Sequence, residues 1–173
     1  MIAAGVGLGC ETAWLNVYTA NRPPLGAYQQ LHHTRPMAAG EIAFIAQETG
    51  NHWRKIFNVY AKLVFDLIDT QMPTWQIYRD KQLLQQNSGT ALWFSSPFNV
   101  KNELSPRAAG QPKTIKLISG RQYAESLGLP EMEAIDRDFS INREQALIVV
   151  PYFDYRQLSN LKLGTLRSLI HTL

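Results

Sequence analysis

The chain has 173 residues, 45% hydrophobic and 18% charged, with a formal net charge of +3; these values describe one ordinary globular domain and argue against disordered or fibrous classes. The basic surplus is spread, seven basic against six acidic residues up to position 100 and ten against eight beyond it, so neither half is a nucleic-acid-binding arm. The single cysteine, Cys10, excludes an internal disulfide and a thiolate zinc site, and points to a reducing, cytoplasmic setting.

The opening Met1-Ile2-Ala3-Ala4-Gly5-Val6-Gly7-Leu8-Gly9 is apolar but lacks a basic start and turns polar at Glu11. It reads neither as a membrane span nor as a signal peptide. Its glycines form G-x-G-x-G with no strand ahead of them, not the dinucleotide fingerprint, so residues 1–10 are expected to be a flexible lead-in. Residues 13–20 are rich in aromatic and β-branched side chains and predict a first strand, with Asn21-Arg22-Pro23-Pro24 as a stiff exit. A helix follows over 38–48 and stops at Gly50. Asn51 is then the expected N-cap of the strongest helix, whose buried stripe is Trp53, Ile56, Phe57, Tyr60, Val64, Leu67 and Ile68. Pro73 and Thr74 open another helix over 75–86.

Asn87-Ser88-Gly89 is a turn into a second strand over 90–96, stopped by Pro97. Residues 99–113 contain Pro106, Gly110 and Pro112 without periodicity, and form the longest loop, a common home for function. A third strand over 114–119 passes through Gly120 into a short helix over 121–127, closed by Gly128. Residues 131–145 are mixed. The run Ala146-Leu147-Ile148-Val149-Val150 then stops at Pro151, the pattern of a strand buried on both faces. Ser159-Asn160 caps a final helix. Strands alternating with helices predict parallel pairing through right-handed crossovers. The expected fold is therefore α/β: a single domain over 1–173, a three-layer sandwich with a roughly four-stranded, mostly parallel sheet and an α-helical N-terminal half.

Ligands of open parallel sheets sit beyond the strand carboxyl ends. Four exits would then share one rim: Asn21 and Arg22; Ser95 with Phe98 and Asn99; Gly120 and Arg121; and Tyr152 to Ser159. Gly120 and Arg121 open a helix and are candidates to hold an anion through free N–H groups; the plainer reading is a tight turn. Tyr155 and Arg156 pair π-surface with charge, as on single-stranded nucleic acid; alternatively they cover the sheet end, with Arg156 paired to Asp154. Asp154 is a candidate general base or a turn residue. His32 and His33 are adjacent, His52 starts a helix and His171 lies near the end, so no metal set is expected, and no motif implies a cofactor.

Two segments carry a family resemblance. Thr114-Ile115-Lys116-Leu117-Ile118-Ser119-Gly120-Arg121-Gln122-Tyr123-Ala124 runs from a strand through a glycine into a short helix. Ala146 to Ile170 runs from a strand through a proline-containing loop into a leucine-rich helix. Residues 90–173, with the strand at 13–20 as partner, resemble the uracil-DNA glycosylase superfamily in layout. That resemblance implies a four-stranded, mostly parallel sheet between helices with substrate at the strand carboxyl ends. It implies Asn21 for water or base contact, Phe98 or Tyr155 for stacking, and Ser159 or Arg156 for phosphate. The superfamily usually places a histidine beside proline at the end of the last strand, where this chain has Tyr152 after Pro151, so the resemblance implies an altered site rather than ordinary uracil excision. Three functional readings follow: a domain binding DNA or a nucleotide; a small-molecule enzyme with a deep pocket rimmed by Asp154 and Asn21; and a protein-interaction domain or homo-oligomer, suggested by Trp75, Tyr78 and Phe153 as exposed aromatics.

Overall fold

The structure, a computed structural model, describes residues 5–97 and 114–173. The predicted positions Phe98 and Asn99, and the long loop over 99–113, lie outside the described residues. The strands are β1 (Gly7–Gly9), β2 (Leu15–Tyr18), β3 (Thr34–Arg35), β4 (Thr90–Trp93), β5 (Ile115–Ser119), β6 (Glu133–Ala134), β7 (Ser140–Asn142) and β8 (Leu147–Val150). The helices are α1 (Gly26–Gln29), α2 (Glu41–Thr49), α3 (Asn51–Leu67), α4 (Trp75–Lys81), α5 (Arg121–Glu125) and α6 (Asn160–His171).

All strands join one sheet in the order β3-β1-β4-β2-β5-β8-β7-β6. Its centre, β4-β2-β5-β8, consists of the four strands expected from the apolar runs, and all three pairings there are parallel. The expected count of about four strands is too low, because mixed edges extend both sides. β1 runs antiparallel to β4, with β3 parallel beside it. A β6-β7 hairpin continues antiparallel from β8. The N-terminal half is accordingly not simply helical, since β1, β2 and β3 lie in it.

Burial on both faces explains the apolar runs. One face presents Leu15, Val17, Leu92, Ile115, Leu117, Ile148 and Val150 to a core shared with α2, α3, α4 and α6. The other presents Tyr18, Ala91, Trp93, Ile118, Leu147 and Val149, with Ala124 of α5 against them. α3 buries Trp53, Ile56, Phe57, Tyr60 and Val64 as expected, together with Val59, Ala61 and Leu63. Ile68 falls past the helix end and is exposed. Asn51 is not the cap: Gly50 holds that position at φ 85°, ending α2 and opening α3, and Asn51 is the first helical residue. Thr74 does cap α4, its Oγ1 accepting from the Ile77 N–H at 3.2 Å. α4 is shorter than predicted because Gln82 leaves the helix at φ −137°, and Leu84 then takes φ 60° on the way to β4.

Residues 7–9 are a buried strand rather than a loose lead-in. A Cβ at Gly7 would lie 2.4 Å from the Leu92 carbonyl oxygen, and at Gly9 2.3 Å from that of Thr90. These glycines allow close backbone approach to β4.

Tyr60 anchors α3 on the sheet: its buried hydroxyl lies 3.1 Å from the Leu15 carbonyl and 2.9 Å from that of Ala91. Burial pushes its pKa well above the ordinary tyrosine value. Tyr60→Phe should lower stability by about 1–2 kcal/mol through loss of this buried hydrogen bond, read as a lower urea midpoint at unchanged slope.

Candidate functional site

Since β2, β4, β5 and β8 are parallel, their exits at Tyr18, Trp93, Ser119 and Val150 share one edge. Each exit contributes differently. After β2, Asn21 Nδ2 donates to the Tyr152 hydroxyl at 3.4 Å. Arg22 turns away from the rim: its Nη1 donates to the carbonyls of Tyr28, Gln29 and Leu31 at 2.9, 3.1 and 2.8 Å, and its guanidinium lies over the Phe94 ring. It closes α1 rather than offering a ligand contact. Thr19 is only 2% exposed, and its Oγ1 has no hydrogen-bond partner among the described residues.

After β4, the Ser95 Oγ accepts the Val6 N–H at 3.0 Å, which commits it to holding the segment ahead of β1. After β5, Gly120 takes φ 101°, but its N–H donates to the Val150 carbonyl at 2.9 Å. That N–H is already paired within the sheet edge, and the positive φ makes Gly120 a turn between β5 and α5. Arg121 Nη2 reaches the Arg137 carbonyl at 2.6 Å, tying the helix α5 to the hairpin side.

The loop after β8 supplies most of the rim. Phe153 is buried and its N–H donates to the Ser119 Oγ at 3.2 Å. Asp154 makes an Asx turn, Oδ1 accepting the Arg156 N–H at 2.9 Å, and its Oδ2 lies 3.4 Å from Lys55 Nζ. The Arg156 guanidinium does not pair with Asp154 in the way expected; it lies 5.8 Å from the Tyr155 ring centroid, with Lys55 Nζ at 4.9 Å from the same ring. Tyr155 is 51% exposed. Ser159 caps α6, its Oγ accepting the Lys162 N–H at 3.4 Å, so it is a helix-end residue. Tyr78 and Phe153, expected on the surface, are buried, and Trp75 is half-buried against the core.

Sequence reasoning missed His52 and Lys55. His52 Nε2 lies 2.7 Å from the Tyr152 hydroxyl, its ring edge-on to the tyrosine and stacked on Trp53. The direction of that bond follows the His52 tautomer: a bare Nε2 accepts the tyrosine hydrogen, and an Nε2–H donates to the hydroxyl oxygen. The missing signal was topological. A helix crossing back between parallel strands starts at their carboxyl edge, so the first turn of α3 faces the rim.

Desolvation is the largest single influence and raises the Asp154 pKa, but the Arg156 N–H, the Lys55 ammonium and the Arg156 charge together outweigh it and hold the carboxyl below its ordinary value. A carboxylate stabilised as the anion is a poor proton acceptor at neutral pH. In this geometry Asp154 makes an Asx turn and an ion pair. Away from the rim, a hollow of about 650 Å³ lies at the amino ends of β2 and β4, lined by Cys10, Glu11, Thr12, Gln86 and Asn87 among others. Among the described residues no group of three or more His, Cys, Asp or Glu side chains is placed to hold a metal ion, and no helix is long and apolar enough to cross a membrane.

The chain belongs to a family of unknown function (DUF6942), which it matches over residues 6–171. No curated protein and no solved structure matches it.

The lowered Asp154 pKa makes a pH prediction. Its stabilisation is fully present above the ordinary carboxylate pKa and is lost as pH falls through the lowered native value. Asp154→Asn should cost about 1 kcal/mol or less at pH 7, the pair being partly exposed, and should flatten the acid loss of stability in urea titrations run at falling pH.

Proposed function

We propose that this family member binds single-stranded nucleic acid, or a nucleotide, on the carboxyl rim of its central sheet, in the manner of a uracil-DNA glycosylase-like domain with an altered site. The layout supports the reading: four parallel central strands, a third that passes through Gly120 into the short helix α5, and a last that passes through Pro151 into the leucine-bearing helix α6. The observation that carries it is the exposed ring of Tyr155 with two cations beside it, Lys55 Nζ at 4.9 Å and the Arg156 guanidinium at 5.8 Å from its centroid. A base stacks on an aromatic face, and a guanidinium at its edge meets the following phosphate. The Lys55 charge is offset by Asp154, which leaves Arg156 as the phosphate-facing cation. Beside this strip, Asn21, Tyr152 and His52 gather donors and acceptors on one exposed cluster, suited to reading the edge of an unpaired base.

Binding in place of excision follows from the chemistry of the rim. Its carboxylate, Asp154, is held ionised by Lys55 and by a backbone N–H, and Tyr152 stands where the glycosylases usually carry a histidine. Fluorescence anisotropy with a single-stranded oligonucleotide tests the proposal. Affinity should fall steeply between about 50 and 200 mM salt. Tyr155→Ala should weaken it by about 1–3 kcal/mol, the value of one stacked base, and Arg156→Ala should weaken it and lower the salt slope. Binding indifferent to salt, or unchanged in Tyr155→Ala, would overturn the reading. No uracil release from a uracil-bearing oligonucleotide is expected.

A further inference from the structure

A second concavity lies away from the rim, where α2, α3 and α4 meet. It encloses about 160 Å³ and is lined by Ile42, Ala43, Ala46, Arg54, Asn58 and Arg79. Its wall divides into two halves of different chemistry. Ile42, Ala43 and Ala46 form an apolar patch on one side of α2, while α3 and α4 bring two guanidiniums and a carboxamide to the other side.

The polar half is ordered. Arg79 Nη1 donates to Asn58 Oδ1 at 2.7 Å, and its Nε and Nη2 hold Asp80 at 2.7 and 3.0 Å. The same guanidinium lies 5.6 Å from the Trp75 ring centroid. Packing, an ion pair and a hydrogen bond thus set the position of Arg79 before any ligand arrives. Arg54, one helical turn before Asn58, gives Nη1 to Asn51 Oδ1 at 3.3 Å. Among the described residues no ion pair includes Arg54. Of the two lining guanidiniums, Arg79 is paired with Asp80, and Arg54 is the one without a carboxylate among the described residues.

We propose that this pocket binds a small organic monocarboxylate, its head on Arg54 and Arg79 and its alkyl body on Ile42, Ala43 and Ala46. The planar fork of a guanidinium matches a carboxylate in a bidentate pair. Among the lining residues one guanidinium lacks a carboxylate and matches a monoanion, whereas a phosphate monoester carries about −1.5 to −2 at pH 7. Size agrees. At about 30 Å³ per water, the cavity holds the volume of about five waters, enough for a short-chain acid and below the roughly 300 Å³ at which drug-sized pockets begin. This site is independent of the rim, and its occupancy requires no nucleic acid.

Titration of the full chain with sodium butyrate, followed by amide chemical shifts and by calorimetry, tests the proposal against sodium chloride at equal ionic strength and against inorganic phosphate. Saturable, roughly millimolar binding is expected, with shifts confined to residues 42–46, 54–58 and 79. Arg54→Gln, at an exposed position, should raise the dissociation constant about tenfold by removing a charge-assisted hydrogen bond. Ala43→Leu, also at an exposed helical position, should abolish binding by filling the apolar half while the fold persists, and Tyr155→Ala should leave it unchanged. Linear, unsaturable shifts, or butyrate affinity unaltered in both pocket variants, would overturn the proposal. Phosphate saturating the same residues at lower concentration than butyrate would overturn the assignment to a carboxylate.

Discussion

The architecture depends on how firmly β2 is held at the centre of the sheet, and two buried polar side chains hold it from opposite faces. On the α5 side, Asn16 accepts the Trp93 indole N–H at 2.8 Å and donates to the Ala13 and Ile115 carbonyls at 3.0 and 3.3 Å. This ties β2 to both its neighbours, β4 and β5. On the α3 side the Tyr60 hydroxyl lies between the carbonyls of Leu15 and Ala91. A buried amide or hydroxyl left without partners is costly, so these groups favour one register over every slipped alternative. Apolar burial alone is less selective, since Leu, Ile and Val pack acceptably in several registers.

That register has a functional consequence. Tyr60 meets the start of β2 and β4, and the first turn of α3 meets the loop after β8, so α3 runs against the strands. It therefore delivers His52 and Lys55 to the edge where the strand exits converge. The rim is a composite: a loop from the last strand carries Tyr152, Asp154, Tyr155 and Arg156, a loop from the first central strand carries Asn21, and a helix from the crossover supplies their partners. Ser119 supports the arrangement from below by accepting the Phe153 N–H.

The parts of the sheet that were legible in the sequence and the parts that were not differ in a physical way. The four central strands are buried on both faces, and only continuous apolar runs such as Leu147 to Val150 satisfy that environment. The outer strands have no such requirement. Thr34–Arg35, Glu133–Ala134 and Ser140–Asn142 are short and largely polar, and Gly7–Gly9 lacks side chains to form a pattern; each is a strand because a neighbour offers its unpaired backbone groups. The candidate site divides in the same manner. Asn21, Tyr152, Tyr155 and Arg156 could be placed at the rim from strand order alone. The cap that Ser159 makes on α6 was legible too, from a serine ahead of a helical pattern; the commitments of Arg22 to α1, Ser95 to Val6 and Gly120 to Val150 were not, because each depends on a backbone partner that only folding brings near.

The amino-acid order by itself determined the α/β class, the four buried strands, the amphipathic face of α3 and the loops that follow the strands. These are local consequences of hydrophobic periodicity and of where glycine and proline interrupt it. Only tertiary structure decided the mixed edges of the sheet and the meeting of His52 with Tyr152 across a hundred residues. It also decided the partners of Asp154, the Arg156 N–H and the Lys55 ammonium. Those outcomes rest on hydrogen bonds and ion pairs between remote segments, whose energies exist only once the chain has closed around them.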